Sequence, residues 1–481
     1  MCEIDRVKQF LKSDPLRRVE ESGCSSLEEL FQLFLPGILP EKEKHLLTEF
    51  FVYKYTGKSV AEGDEDRFSD LERIDAVMGG VFLPSIVSKL KKIDEYMRSY
   101  ADVSGYALTS EEFWQLLSDM LDDHVVRLDV KDLKILDAMS RGVLKKREIG
   151  KQTGIEYRTV FNRIKRLEAR CGLRVVSLAD YARMGLTHMV VLVEGEADFE
   201  SVYPFSRYEL GFGEFTLFSI GVPPRRIREV MGDFESRFSR TWFWSVDRFE
   251  SVSSFGNYDT DTGEWSVDWN AWSLYLDNVL SRGWDAAIPP EAEGGGSLPS
   301  YGTEREERES VTVDDLSFIS VLLEDFDMSS EELGERCGCS ASKAAMVKNK
   351  LLRMGIIRPY FRVERIGLSE RILFIVESDV DTLYSFVAAI KELPRALIYW
   401  TEPLVPGMGS EGSPALACWL ETPPGSFFPF ERVVRLRLRP LAEYMLFLYR
   451  PVTTSESAAL ASEEFKSIFS NRVAAGDADG R

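Results

Sequence analysis

The chain has 481 residues, 44% of them hydrophobic, and 79 acidic against 59 basic side chains give it a net charge of −20. That acidity argues against a protein that coats nucleic acid indiscriminately, and no run approaches the ~18 apolar residues of a membrane span. Six scattered cysteines with no CxxC pair, and only three histidines, argue against a metal site; Cys337-x-Cys339 is too close for a zinc knuckle. The start is too charged for a signal peptide, so the expectation is a soluble, cytoplasmic protein of about three or four domains.

Residues 1–125 predict a mainly helical domain, with helices at 26–35, 41–56, 68–77, 83–99 and 110–121. Leu83, Ile86, Val87, Leu90 and Ile93 line one side of the fourth. Its Lys89, Lys91 and Lys92 allow a further winged helix; the alternative is a helical interaction or dimerisation domain. Over 128–180, "VKDLKILDAMSRG" spaces Leu133, Leu136 and Met139 helically, and "KKREIGKQTG" predicts a second helix ended by Gly154. "IEYRTVFNRIKRLEAR" predicts a third, with Val160, Ile164 and Leu167 inward. Gly150 lets the second and third helices approach closely. These are the parts of a helix-turn-helix, with "LRVVSLADY" as its wing.

From 183 to 285 the period changes. Strands are predicted at 187–196, just before "GFGE", at 214–223 and at 241–253, with helices at 198–209 and 225–238. That order is βαββαβ, the ferredoxin-like arrangement. Asp259-x-Asp261-x-Gly263 lacks the ligands of a calcium loop and predicts a β-hairpin turning at Thr262-Gly263. Residues 286–310, rich in Pro, Gly, Ser and charge, read as a linker. The chain then repeats: "EIGKQTG" (148–154) matches "ELGERCG" (332–338) at an offset of 184, and "RMGLTHMVVLVEGE" (183–196) matches "RIGLSERILFIVES" (365–378). A second winged helix is expected over 313–362, a second ferredoxin-like domain over 365–452, and a tail over 453–481 with a short helix near 462–469. The fold class expected is therefore α+β: two winged helix-turn-helix units, each followed by a ferredoxin-like βαββαβ domain, behind a mainly helical N-terminal domain.

Between Arg141 and Arg174 lie eleven Lys or Arg against three Glu, in a chain that is otherwise acidic. Phosphates call for Lys and Arg, and base edges favour Arg. Early positions of the third helix face the bases, which makes Tyr157, Arg158, Thr159, Asn162 and Arg163 the candidate readers. Lys145, Lys146, Arg147, Lys165, Arg166 and Arg170 are the candidate phosphate contacts. A solvated charged face is the bland alternative, and a local excess of eight positive charges fits it poorly. In the second unit Ala344, Ala345 and Met346 stand where a reader wants polar groups, beside Lys343, Lys348, Lys350 and Arg353. That unit is read either as a weak DNA contact or as a packing module.

The phrases "REIGKQTGIEYRTVFNRIKRLE" and "ADYARMGL" resemble the Lrp/AsnC family of prokaryotic transcription regulators, here in tandem duplication. The resemblance covers about 130–255 and 313–452, and it implies an archaeal source, double-stranded DNA as partner, pairing of the sheet domains and a small-molecule effector of undetermined identity. With both sheet domains in one chain, an intramolecular pseudo-dimer is expected, with a homodimer as the alternative. No cofactor, catalytic residue or metal ligand is assigned. Two other functions compete with DNA binding. One is a protein-interaction scaffold. The other is an enzyme like the sirohaem decarboxylases, which resemble the same family. Those carry a His-rich central hairpin, whereas neither hairpin here holds a histidine and His188 lies in a strand.

Overall fold

The structure is a computed structural model that describes residues 26–56, 68–78, 82–99, 107–122, 125–199, 201–282, 311–404, 413–439 and 441–476. It is α+β, with a large antiparallel sheet and many helices. The expected linker at 286–310 lies outside the described residues, as do 1–25, the middle of the second hairpin (405–412) and 477–481. The chain divides into two compact units, Met1–Val126 with Lys165–Gly172, and Arg127–Ile164 with Leu173–Arg481. No helix among the described residues is long and apolar enough to cross a membrane.

The first unit holds α1 (Leu27–Phe34), α2 (Glu41–Thr56), α3 (Ser69–Met78), α4 (Phe82–Ser99) and α5 (Ser110–Asp122). Ser26 caps α1 by accepting from the Glu29 amide, and Thr109 and Glu112 bond reciprocally at the start of α5. Phe31, Phe50, Phe82 and Phe113 are fully buried in its core. No strand occurs among its described residues.

The second unit opens with α6 (Val130–Ser140), α7 (Lys146–Thr153) and the first part of α8 (Tyr157–Cys171). Asp129 and Asp132 form a capping box that starts α6, and Gly154 ends α7 in the left-handed conformation. A Cβ on Gly150 would stand 2.9 Å from the Ile155 carbonyl oxygen, closer than packed atoms tolerate. The later triad, α11 (Val313–Glu324), α12 (Ser330–Arg336) and α13 (Ala341–Arg353), repeats the contact: a Cβ on Gly334 would stand 2.8 Å from the Cys339 carbonyl oxygen. Both residues of that pair lie at the offset of 184 seen in the sequence. Gly150→Ala and Gly334→Ala are each expected to cost about 1–3 kcal/mol. Gly232→Ala, with open space around it, should cost nothing; urea unfolding of the three variants makes the comparison.

Each triad is followed by one strand, β1 (Arg174–Ala179) and β8 (Ile357–Arg362). These pair with each other, from Arg174 opposite Arg362 to Ala179 opposite Ile357. The wing expected after α8 is thus not a local hairpin. A lone strand leaves a row of unpaired amides and carbonyls, and its counterpart satisfies them.

The main sheet takes four strands from each half: β2 (Thr187–Glu194), β3 (Phe205–Leu210), β4 (Phe215–Val222) and β5 (Thr241–Ser253), then β9 (Glu370–Glu377), β10 (Arg395–Pro403), β11 (Ala415–Thr422) and β12 (Glu443–Thr454). The order β10-β11-β9-β12-β3-β4-β2-β5 closes on itself. Within each half the strands lie in the order second, third, first, fourth, and the halves join through β5–β10 and β12–β3 inside one chain. Alternate residues face opposite sides. Val190 and Leu192 point into the barrel, while Met189, Val191 and Val193 join an outer core. α9 (Ile227–Arg237) contributes Val230 and Phe234 to that outer core. Over the second half, α10 (Trp269–Arg282), α14 (Val380–Ile390) and α15 (Phe427–Arg437) cover the sheet.

One expectation is corrected here. Among the described residues of 198–209 no helix forms; Pro204 disfavours a helical residue before it, and Phe205–Leu210 becomes β3 by pairing with β12 and β4. In the tail, a helix does form where one was expected near 462–469, and it packs into the outer core. α16 (Glu456–Ala461) and α17 (Glu463–Gly476) bury Leu460, Phe465 and Phe469 in the outer core with Phe199, Phe205 and Phe218. The hairpin at 257–269 does form. β6 (Tyr258–Asp259) pairs β7 (Glu264–Trp265), and Gly263 has φ 81° at the turn. Asp259 accepts from the Asp261 and Thr262 amides, which holds its carboxyl below the usual range.

Candidate nucleic-acid interface

Two short helices set up the site. Val160 and Ile164 turn the inner side of α8 into the core, which leaves Tyr157, Arg158 and Asn162 exposed and Thr159 half-buried. Lys145 and Arg147 are exposed at the start of α7, and Lys146 is half-buried. Ring contacts tie the two helices together: the Lys146 ammonium lies 5.4 Å from the Phe161 ring centre, and the Arg147 guanidinium 5.9 Å from that of Tyr157. Lys145 pairs with Glu148 at 3.5 Å, an exposed contact that solvent screens. The first turn of α8 contains no acidic residue.

Arg163 does not join this face. Its guanidinium turns inward to Asp129 and, at 3.2 Å, to the fully buried Asp132. The hydrogen bond to Asp129 raises the Arg163 pKa further. Burial pushes the Asp129 carboxyl up, but Arg163 and the Asp132 and Lys131 amides outweigh it and hold that carboxyl low. The expected role of Arg163 as a base reader is therefore corrected: its charge is spent in closing α8 onto the start of α6. The sequence signal for this was present in "DVKD" (129–132), a capping pattern before an apolar helical run. Lys165, Arg166 and Arg170 belong to the segment Lys165–Gly172 of the other compact unit. There Lys165 is exposed and Arg166 half-buried, and the Arg170 Nε donates to the Val77 carbonyl oxygen at 3.4 Å. The structure thus gathers Lys145, Lys146, Arg147, Tyr157, Arg158, Thr159 and Asn162 on α7 and the start of α8.

The later triad differs. Lys348 donates to the Phe326 and Met328 carbonyl oxygens, and burial lowers its pKa. Lys350 pairs with the buried Asp315 at 2.8 Å. Met346, 64% exposed, occupies the position that Asn162 holds in the first triad. Two of the lysines are thus taken inward, and an apolar side chain replaces a polar one on the outer face.

Elsewhere in the second unit, an open cleft of about 690 Å³ runs between α6, the end of β5 and the end of α14. Lys134, Arg141 and Lys391 share it with Asp137 and Glu392. His188 is buried within the barrel, and its Nε2 lies 2.7 Å from the Ser219 hydroxyl. Desolvation lowers its pKa to about 3. No group of three or more His, Cys, Asp or Glu is placed to hold a metal among the described residues.

No family model matches the chain, and no curated protein matches it. Two solved structures are similar in part. One is the crystal structure of the siroheme decarboxylase NirDL, at 13% identity, a TM-score of 0.38, and coverage of 72% of this chain and 99% of that one. The other is the same enzyme in co-complex with an iron-uroporphyrin III analogue, at 14% identity with the same score and coverage. At that score and identity the likeness carries no weight for the activity of this chain. The expected membership in the Lrp/AsnC transcription regulators is nonetheless corrected. No regulator is among the matches, both similar structures are of an enzyme, and the regulatory role and archaeal source implied by that resemblance fall with it.

Proposed function

We propose that this chain is a double-stranded DNA-binding protein, not an enzyme, and that it reads duplex DNA through α7 and the start of α8. In this reading α6–α8 form a helix-turn-helix, and the two four-stranded halves of the barrel are ferredoxin-like units paired as a pseudo-dimer within the chain. The observation that carries it is the face of α7 and α8, where Lys145, Arg147, Arg158 and Asn162 are exposed together in a protein of net charge −20. Lys145, Lys146 and Arg147 suit phosphates, and Arg158 and Asn162 suit base edges. Because the later triad turns Lys348 and Lys350 inward, the footprint should be one-sided, not palindromic.

Arg158→Ala should reduce discrimination between specific and random duplexes by roughly 1–3 kcal/mol. Lys145→Ala with Arg147→Ala should weaken all sequences alike and lower the salt slope by about one unit per lost phosphate contact. Fluorescence-anisotropy titrations across salt concentrations measure both. Binding unchanged in both variants refutes the reading and favours a protein-binding role for this face.

A further inference from the structure

α15 lies against the sheet with Phe430, Val433 and Val434 in the core beneath it. Glu370 fixes its start, the carboxylate accepting from the Phe427 amide at 2.8 Å, and Arg437 ties its end to Asp277 of α10 at 2.9 Å. At about 100° per residue, Phe428, Arg432 and Arg435 fall together on the opposite side, with Leu436 next to them. Arg439 and Leu441 follow the helix. All six are exposed. Phe428, at 77%, is the most exposed large hydrophobic side chain among the described residues, and Leu436 and Leu441 are 59% and 50% exposed. A single apolar side chain on a surface needs no explanation; three in the stretch 428–441 call for one.

The charge there is as unusual as the apolar exposure. Residues 427–443 hold four arginines against two glutamates, in a chain of net charge −20. Arg437 is taken by Asp277, and Arg435 lies 3.6 Å from Glu431. Arg432 and Arg439 have no carboxylate partner among the described residues. The second glutamate, Glu443, is exposed at the start of β12. Burial raises the pKa of its neighbour Tyr444 and Glu431 adds to the rise, whereas Arg439 and Arg435 oppose it, so both guanidiniums lie near that one phenol.

The cations ask for an anionic partner, and the apolar side chains ask for an apolar medium next to it. A side chain as exposed as Phe428 stands clear of its surroundings, which leaves no groove to seat a partner helix. Nucleic acid would serve the arginines, but leucine has no π-face on which a base stacks, and Leu436 and Leu441 would stay in water. An anionic bilayer supplies both, with charge at the headgroups and acyl chains a few ångströms deeper. The negative charge of the rest of the chain opposes this weakly, because charges beyond a Debye length of ~8 Å are largely screened.

We propose that the outer face of α15 docks the chain on an anionic lipid surface, Phe428 and Leu436 entering the interface while Arg432, Arg435 and Arg439 meet the headgroup phosphates. This is a surface contact, not a span, and it stands independently of the DNA-binding reading.

Flotation of the full chain with vesicles of phosphatidylcholine containing about 30% phosphatidylglycerol tests it. Binding should be saturable, and at least about tenfold weaker to pure phosphatidylcholine. Phe428→Ser should weaken it about tenfold or more. Arg432→Gln and Arg439→Gln should each weaken it about fivefold. These side chains are exposed, so tryptophan fluorescence should show all three variants folded as the parent. Met346→Ser removes an exposed apolar side chain elsewhere and should change nothing. Lys145→Ala with Arg147→Ala should also leave vesicle binding intact, which separates this proposal from the DNA-binding one. Absence of binding to the anionic vesicles overturns the proposal. So does binding that Phe428→Ser retains and the Lys145, Arg147 variant loses, because α7 would then hold the lipid. A single-stranded oligothymidylate is the last probe. If Phe428→Ser and Arg432→Gln weaken its binding but not that of the vesicles, the face takes nucleic acid and the proposal falls.

Discussion

Replacing Arg395 with methionine is expected to lower the stability of the second compact unit by about 3–5 kcal/mol, the range for breaking one side of a buried ion pair. Arg395 is the buried hub between β10, β11 and β8. Its guanidinium donates to the Glu421 carboxylate at 2.6 Å, to the Val363 and Phe361 carbonyl oxygens at 3.1 and 3.2 Å, and to the Tyr360 hydroxyl. Methionine matches much of its length but donates nothing, so two buried carbonyls and a carboxylate lose their partner together. Much of the loss is the stranded Glu421 charge, so adding Glu421→Gln should recover part of it. Urea unfolding followed by tryptophan fluorescence measures all three proteins. A loss below about 1 kcal/mol for Arg395→Met would show that water replaces the guanidinium freely.

The second large effect concerns acid. His188 is buried, and desolvation depresses its pKa from 6.5 to about 3. The unfolded chain therefore binds a proton that the folded chain refuses between those two values. The sign follows: the favourable contribution is complete above about pH 6.5 and is lost progressively as the pH falls toward 3. One such group adds a slope of about 1.4 kcal/mol per pH unit across that window. Many carboxylates also titrate there, so the slope of one protein alone does not isolate the effect. His188→Gln, which keeps a polar partner for Ser219, should show a shallower fall between pH 6 and 4 than the parent by about that amount. Parallel urea titrations at several pH values give the difference, and identical slopes would mean that His188 takes up its proton in the folded state.

Much of the local structure follows from the sequence by short-range rules. The helices between 26 and 122 and in both triads come from apolar spacing and caps. The hairpin at Gly263 comes from turn chemistry, and the repeat of 184 residues marks Gly150 and Gly334 as equivalent positions. The basic cluster was legible for the same reason, since charge is a property of composition. What the sequence could not decide is where a side chain or a strand finds its partner. Arg163 reads as an exposed cation until Asp132 is buried beneath it. The segment 198–209 is expected as a helix, yet Phe205–Leu210 becomes a strand because β12 and β4 offer backbone partners worth more than its propensity. β1 finds β8 instead of a neighbour, and α16 and α17 complete a core begun more than 250 residues earlier. Caps, turns and periodicity act over a few residues and are written locally. Strand pairing, burial and the fate of a buried charge depend on contacts far apart in the chain, and only the closed barrel and the cores around it bring those contacts into being.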